Sequence, residues 1–260
     1  MKNILLTFDL EEFDSPLDFG VSINENEMFN IAREGLENLI ELLNKYNIRA
    51  TFFTTANFAK RYPELTKELS KKHEIACHGY SHSDNYAKDI SRINLAKKEI
   101  EKIIGKEIKG FRAPRFEIKN ISGLSNFGFE YDSSIHPTFI PGRYFNLLKK
   151  RKVHKIGNVT EIPLSVLPFF RLPIFWLAFK NLPLGYAKIF TRINFSSLNY
   201  TLLVFHPWEF ADLTMIKMPD YTKKKSGKEL INRLEKYIQF CKKNNYQFSS
   251  VSDYLLKSLK

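Results

Sequence analysis

His78 and His82 stand four residues apart in HGYSH (78–82), directly behind the strand-like run EIAC (74–77). Asp9, Glu11, Glu12 and Asp14 follow the apolar run NILLTF (3–8). Two neutral imidazoles and a carboxylate are donors that a divalent metal takes when it keeps positions open for water and substrate. The HxxxH spacing alone is weak, because residues i and i+4 of any helix share a face. Further polar clusters strengthen it: Arg112 and Arg115 after GF (110–111), Asp132, Ser133 and Ser134 after GFEY (128–131), and His206 with Glu209 after TLLVF (201–205). Each has a bland alternative. The histidines could sit at the surface, Asp9 and Glu11 could be acids at a helix N-terminus, Arg112 could form an ordinary ion pair, and His206 before Pro207 could mark a turn. Cys77 reads as small core packing. Carboxylates, imidazoles and guanidinium gathered at five strand ends are more than a solvated rim requires. A ferrous oxygenase also uses two histidines and one carboxylate, but that reading leaves Asp9, Arg112 and His206 without a joint role.

Positioning these groups falls to short apolar runs alternating with amphipathic helices. The expected order is strand 3–8, helix 29–48 with a stripe at 36, 39, 40, 43 and 46, strand 49–55, helix 63–72 opened by Pro63, strand 74–77 and helix 89–105 closed by Gly105. Then come strands over KGFRAP (109–114), VTEIPL (159–164) and TLLVF, helix 228–245, and a last strand turning into a helix over 247–256. Such alternation predicts an α/β fold of parallel βαβ units. Seven or eight candidate strands favour a closed or nearly closed barrel, with a doubly wound sheet as the alternative. In βα barrels, chemistry sits at the C-terminal ends of the strands, where these clusters fall.

The 260 residues carry 40 Lys and Arg against 28 Asp and Glu, a net charge of +12 that favours an anionic partner. The basic runs KKRKVHK (149–155) and KKK (223–225) read first as solvated loops, and no nucleic-acid motif accompanies them, so no nucleic-acid partner is expected. No run reaches the ~18 apolar residues of a membrane span. The N-terminus lacks the pattern of a signal peptide, and Cys77 and Cys241 form no disulfide framework, so the cytoplasm is the expected compartment. Residues 162–190 are the most apolar stretch, interrupted by Arg171, Lys180 and four prolines. Its Phe169, Phe170, Phe175, Trp176 and Phe179 either pack over the barrel and line a sugar groove, or lie in a membrane interface beside KKRKVHK.

Five stretches in order, TFDLEEFD (7–14), HGYSH, FRAPRF (111–116), YDSS (131–134) and LVFHPWE (203–209), resemble the motifs of the polysaccharide deacetylases, the NodB-homology carbohydrate esterases. The branch with a D-x-E first motif and an HPWE last motif is the most similar, and FSSVSDYLL (248–256) resembles its end. The resemblance implies a deformed (β/α)7-type barrel, one catalytic domain over 1–260, and metal-dependent removal of acetyl from an N-acetylated sugar in glycan or cell-envelope synthesis. Another linear or cyclic amide, or an inactive sugar- or membrane-binding relative, stays open. Carried over, it makes Glu11, His78 and His82 the ligands of a divalent metal, foremost Zn2+, with Co2+, Ni2+, Mn2+ or Fe2+ as others; Glu12 is the competing acid. Asp9 resembles the base, Arg112 its partner and His206 the acid. Arg115, where many members have an aromatic residue, Phe116, Tyr131, Asp132 and Trp208 fall at substrate-contacting places, and a backbone N–H near Arg115 would face the oxyanion. The expected partner is an N-acetylated sugar, with nucleotide-linked, lipid-linked and finished-glycan forms all open, and peripheral contact with the inner face of the membrane is one alternative.

Overall fold

A computed structural model of the chain describes residues 1–82 and 90–258. In chain order the strands are β1 (Asn3–Leu10), β2 (Thr51–Thr54), β3 (Glu74–Cys77), β4 (Gly110–Phe111), β5 (Tyr131–Asp132), β6 (Phe139–Ile140), β7 (Tyr144–Phe145), β8 (His154–Ile156), β9 (Val159–Glu161), β10 (Tyr200–Phe205) and β11 (Gln247–Phe248). The helices are α1 (Glu25–Lys45), α2 (Ala56–Arg61), α3 (Pro63–Lys72), α4 (Ile90–Ile104), α5 (Trp176–Asn181), α6 (Leu184–Asn194), α7 (Asp220–Lys223), α8 (Lys228–Lys243) and α9 (Val251–Ser258).

Parallel strands run in the order β10-β1-β2-β3-β4-β5-β9, with β8 antiparallel to β9 at one edge and β11 joining the start of β1. β1 is buried from Ile4 to Leu10, as expected of a central parallel strand covered on both faces. The sheet curls into a deformed (β/α)7-type barrel. Between β9 and β10 the closure is irregular: the Leu202 N–H donates to Ser165 Oγ at 2.8 Å, and the Tyr200 hydroxyl to the Pro163 carbonyl at 3.1 Å. These bonds bring the chain after β9 alongside β10 without a ladder.

Where boundaries differ from expectation, local chemistry explains it. α1 starts at Glu25, not residue 29, because Asn24 caps it by accepting from the Glu27 N–H at 2.8 Å. Apolar periodicity cannot register that polar first turn. The strands expected over 109–114 and 159–164 shorten to Gly110–Phe111 and Val159–Glu161. Just past those points the Arg112 N–H still donates to the Cys77 carbonyl at 3.0 Å and the Ile162 N–H to the Asp132 carbonyl at 2.9 Å. Residue 89, the expected start of α4, lies outside the described residues.

α1 lies against the turn Pro207–Phe210 that follows β10, and Gly35 makes the approach possible. A Cβ there would stand 2.0 Å from the Pro207 carbonyl oxygen. Gly35→Ala should therefore destabilise by about 1–3 kcal/mol in urea denaturation, as overpacking does, although alanine is favoured in helices by about 1 kcal/mol. A stabilised variant would show that the two backbones are not in contact. Among the described residues no helix is long and apolar enough to cross a membrane.

Candidate active site

β1 delivers two acids to the C-terminal mouth of the barrel. Asp9 points across the interior to Arg112, which follows β4. The guanidinium donates to Asp9 Oδ1 at 2.7 Å, to Thr7 Oγ1 at 3.0 Å, and to the Ser133 carbonyl and hydroxyl oxygens, both at 3.0 Å. It also lies 4.0 Å from the centre of the Phe53 ring and is fully buried. A planar fork fixed on several sides aims one carboxylate oxygen with little freedom.

Two residues on, the Glu11 carboxylate meets both histidines of HGYSH. This segment is not helical: it leaves β3 as a loop, and Gly79 at φ +80° supplies the left-handed step between the imidazoles. His78 Nδ1–H donates to the Arg112 carbonyl at 2.8 Å, and His82 Nδ1–H to Asp14 Oδ1 at 2.7 Å. Both Nε2 atoms then face Glu11 Oε2, at 3.2 and 3.6 Å. Glu12 is engaged elsewhere. Its oxygens accept from the His82 N–H at 3.1 Å and the Thr55 hydroxyl at 3.0 Å, and burial pushes its pKa up. Of the two acids, Glu11 alone converges on the imidazoles. Burial would raise the Glu11 pKa, but the facing His82, His206 and His78 outweigh it and bring it down to about 2. Burial likewise opposes the charge of His82, yet Glu11 and Asp14 lift its pKa to about 9.

Among the described residues no group of three or more His, Cys, Asp or Glu side chains stands ready-made to hold a metal ion. What Glu11, His78 and His82 offer is a donor set of fitting chemistry, with His78 Nε2 within hydrogen-bond distance of Glu11 and His82 Nε2 at ion-pair distance. Donors of a tetrahedral Zn2+ stand ~3.3–3.4 Å apart for bonds of about 2.0–2.1 Å, close to the 3.2 and 3.6 Å seen here. The partners on both Nδ1 atoms fix the tautomer such a site needs.

β10 lies beside β1 in the sheet, so His206 arrives next to Glu11, with Nε2 3.8 Å from Glu11 Oε1. Glu209 holds it: one carboxylate oxygen accepts from the His206 backbone N–H at 2.8 Å and from Nδ1 at 3.1 Å. Behind Glu209, the ammonium of fully buried Lys180 stands 3.3 Å away and donates to the Thr222 carbonyl at 2.5 Å. Burial opposes a charged His206, but Glu11 and Glu209 outweigh it and raise its pKa. Trp208 stacks on the imidazole at 4.9 Å and Trp176 meets its edge at 5.4 Å. The sequence pointed to Glu209 only as a neighbour of His206, and Lys180 only as an interruption of an apolar stretch. A lone cation in such a stretch was the available signal.

The residues expected to contact substrate divide. Arg115 (φ +56°) and Phe116 (φ +61°) form a strained left-handed pair behind β4, with Arg115 bonded to Asp18 at 2.8 Å and Phe116 against His136 at 5.8 Å. Tyr131, Asp132 and Trp208 are corrected. The Tyr131 hydroxyl donates to Glu74 Oε1 at 2.9 Å, at the start of β3 and so at the far end of the barrel. Asp132 is buried, accepting from the Ser134 N–H at 3.1 Å and hydroxyl at 2.7 Å, and burial raises its pKa. Trp208 is 2% exposed, its Nε1 3.4 Å from Glu11 Oε1, so it backs the site instead of lining it. Cys77 is buried core with its thiol pushed up to about 12 by burial.

Known proteins resemble this chain in sequence and in fold. The chain is 32% identical over 136 residues to a peptidoglycan deacetylase of Helicobacter pylori, a match covering 49% of this chain and 44% of that protein; this chain thus spans under half the length of that relative. Its fold superposes on a Mycobacterium smegmatis protein provisionally assigned as a polysaccharide deacetylase, with TM-score 0.64 at 18% identity over 97% of this chain and 88% of the other. It superposes equally on the Puue allantoinase, with TM-score 0.62 at 16% identity over 96% and 88%. At such identities the two structures establish the fold alone. The polysaccharide deacetylase family model, however, matches residues 1–131, the half that supplies Asp9, Glu11, His78, His82 and Arg112, and on that match the chain belongs to the polysaccharide deacetylase family.

Proposed function

We propose that this protein is a metal-dependent hydrolase that removes acetyl from an N-acetylated sugar in glycan or cell-envelope synthesis. The observation that carries the reading is one shared mouth: Glu11 with His78 and His82, flanked by Asp9 on Arg112 and by His206 on Glu209. A divalent ion, Zn2+ or one of Co2+, Ni2+, Mn2+ and Fe2+, held by Glu11, His78 and His82 would supply Lewis acidity to the amide carbonyl and the attacking water. Asp9, aimed by Arg112, takes the proton of that water. His206, with Nδ1 tied to Glu209, presents Nε2 to protonate the departing amine, a role suited to imidazole. A backbone N–H near Arg115 faces the developing oxyanion. The name of the Helicobacter pylori relative, a peptidoglycan deacetylase, supports an acetylated glycan as substrate.

Acetate release across a panel of N-acetylated sugar nucleotides, lipid-linked sugars and glycan fragments tests the reading. Release should fall to background with a chelator. His78→Ala, which removes one of three protein ligands, should lower bound metal at least about tenfold by elemental analysis, since losing even a group that orients a ligand costs about 10–100-fold, while circular dichroism stays native. Full metal occupancy in that variant, or release indifferent to chelator, would overturn it.

A further inference from the structure

Residues 162–190 do two different jobs. Phe175, Trp176 and Phe179 turn inward: Phe175 meets His136 at 5.6 Å, Trp176 meets His206 at 5.4 Å, and Phe179 packs on Phe205 at 5.0 Å. Phe169 and Phe170 turn outward, 93% and 81% exposed. They occupy the tip of a tight hairpin in which the Leu167 N–H donates to the Leu172 carbonyl at 2.9 Å and Val166 bridges Pro173. Phe169 at φ +63° and Arg171 at φ +55° adopt a left-handed backbone that bulky residues rarely take. Local strain that displays two phenylalanines to solvent is unfavourable in the isolated chain, which points to something that covers them.

A neighbouring loop completes the patch. The Thr138 hydroxyl donates to the Arg171 carbonyl at 2.7 Å, and the Arg171 guanidinium to the Lys149 carbonyl at 3.2 Å, tying the hairpin to residues 138–149. That segment adds Leu148, 92% exposed, and Phe145, 66% exposed, with Lys149, Lys150 and Lys152 at the surface among them. From Ser133 to Trp208 the sequence contains a single carboxylate, Glu161, and that one is buried. An exposed apolar tip flanked by cations, in a stretch of sequence whose one carboxylate is buried, is complementary to one kind of surface, an anionic lipid bilayer: aromatic rings enter the interface and lysines meet the headgroups.

We infer that the 138–149 loop and the 167–172 hairpin dock this protein on an anionic membrane face. Both segments leave the sheet at the C-terminal ends of β5 and β9, the end that carries Asp9, His78, Arg112 and His206. Docking therefore turns the mouth toward the bilayer and presents it with a lipid-linked N-acetylated sugar; this last step rests on the deacetylase reading above. The patch needs no membrane-crossing helix.

The test is cosedimentation of the full chain with phosphatidylcholine vesicles and with vesicles containing phosphatidylglycerol. The native chain should bind the anionic vesicles, weakly or not at all the neutral ones, and less as salt rises. Lys149→Gln with Lys150→Gln should weaken binding roughly 30-fold, and Phe169→Ser with Phe170→Ser at least about as much. All four side chains are exposed, so thermal melts should match the native chain and confirm that folding is intact. Absence of binding to either vesicle, equal binding to both, or native-level binding by both variants would overturn the inference. Acetate release from a soluble N-acetylated sugar is read separately and should be the same in these variants. Vesicle binding without any acetate release would sink the deacetylase reading and leave the docking surface standing.

Discussion

Asp9→Asn should keep its metal and lose turnover by about 10²–10⁴-fold, the usual worth of a general base. Asparagine has the same shape, and its carbonyl oxygen can still accept the Arg112 hydrogen bond that Asp9 Oδ1 accepts at 2.7 Å, but it cannot take a proton from water. Arg112 is fully buried and would lose its counter-charge, so the variant should also melt earlier. Turnover must be measured well below its melting midpoint, with metal content determined on the same sample. Glu11→Gln should behave oppositely: it weakens one ligand facing His78 and His82, so metal is lost first and activity follows. Exchange of the two phenotypes would mean that base and ligand have been assigned the wrong way round. If both variants lose metal together, the two acids act as one ligand set and the base lies elsewhere.

Lys180→Met should destabilise by about 3–5 kcal/mol, the scale for removing one member of a buried ion pair. Lys180 and Glu209 are both fully buried with charged atoms 3.3 Å apart. Burial lowers the Lys180 pKa and Glu209 opposes that, so the pair is mutually dependent. Methionine fills similar space and adds no charge, which leaves Glu209 buried without its cation while it still holds His206 at 3.1 Å. Equilibrium unfolding in urea reads the loss, and a double-mutant cycle identifies its cause. Glu209→Gln added to Lys180→Met should restore a large part of the stability, because no isolated charge then remains buried. Strict additivity of the two single changes would show that the pair does not interact. The cycle also separates support from chemistry: Lys180→Met with Glu209→Gln should recover stability but not turnover, because a neutral glutamine gives less support to a cationic imidazole than a carboxylate does.

Much of this protein is determined by sequence alone, for local reasons. α3 runs from Pro63 to Lys72 and β3 from Glu74 to Cys77, as expected, because a proline opens the one and a short apolar run bounded by polar residues forms the other. Asp9, Glu11, His78, His82, Arg112 and His206 were legible as residues at strand ends, since parallel strands must all finish at the same mouth. What the tertiary structure decided is direction and partnership. Glu11 and Glu12 are adjacent and chemically alike; only the position of Thr55 and the His82 N–H assigns Glu12 to the scaffold and leaves Glu11 facing the imidazoles. Tyr131 sits in a site-like motif, yet its hydroxyl reaches Glu74, because which way a strand side chain leans is set by neighbours distant in sequence. Within 162–190, composition could not tell Phe170 from Phe175, while the hairpin turns one out and the packing on His136 holds the other in. The Arg112–Asp9 bond joins residues 103 apart, and the Lys180 ammonium reaches Glu209 from a helix with no motif of its own. Periodicity and capping act over a few residues, whereas a buried charge takes its meaning from whichever opposite charge the completed barrel places beside it.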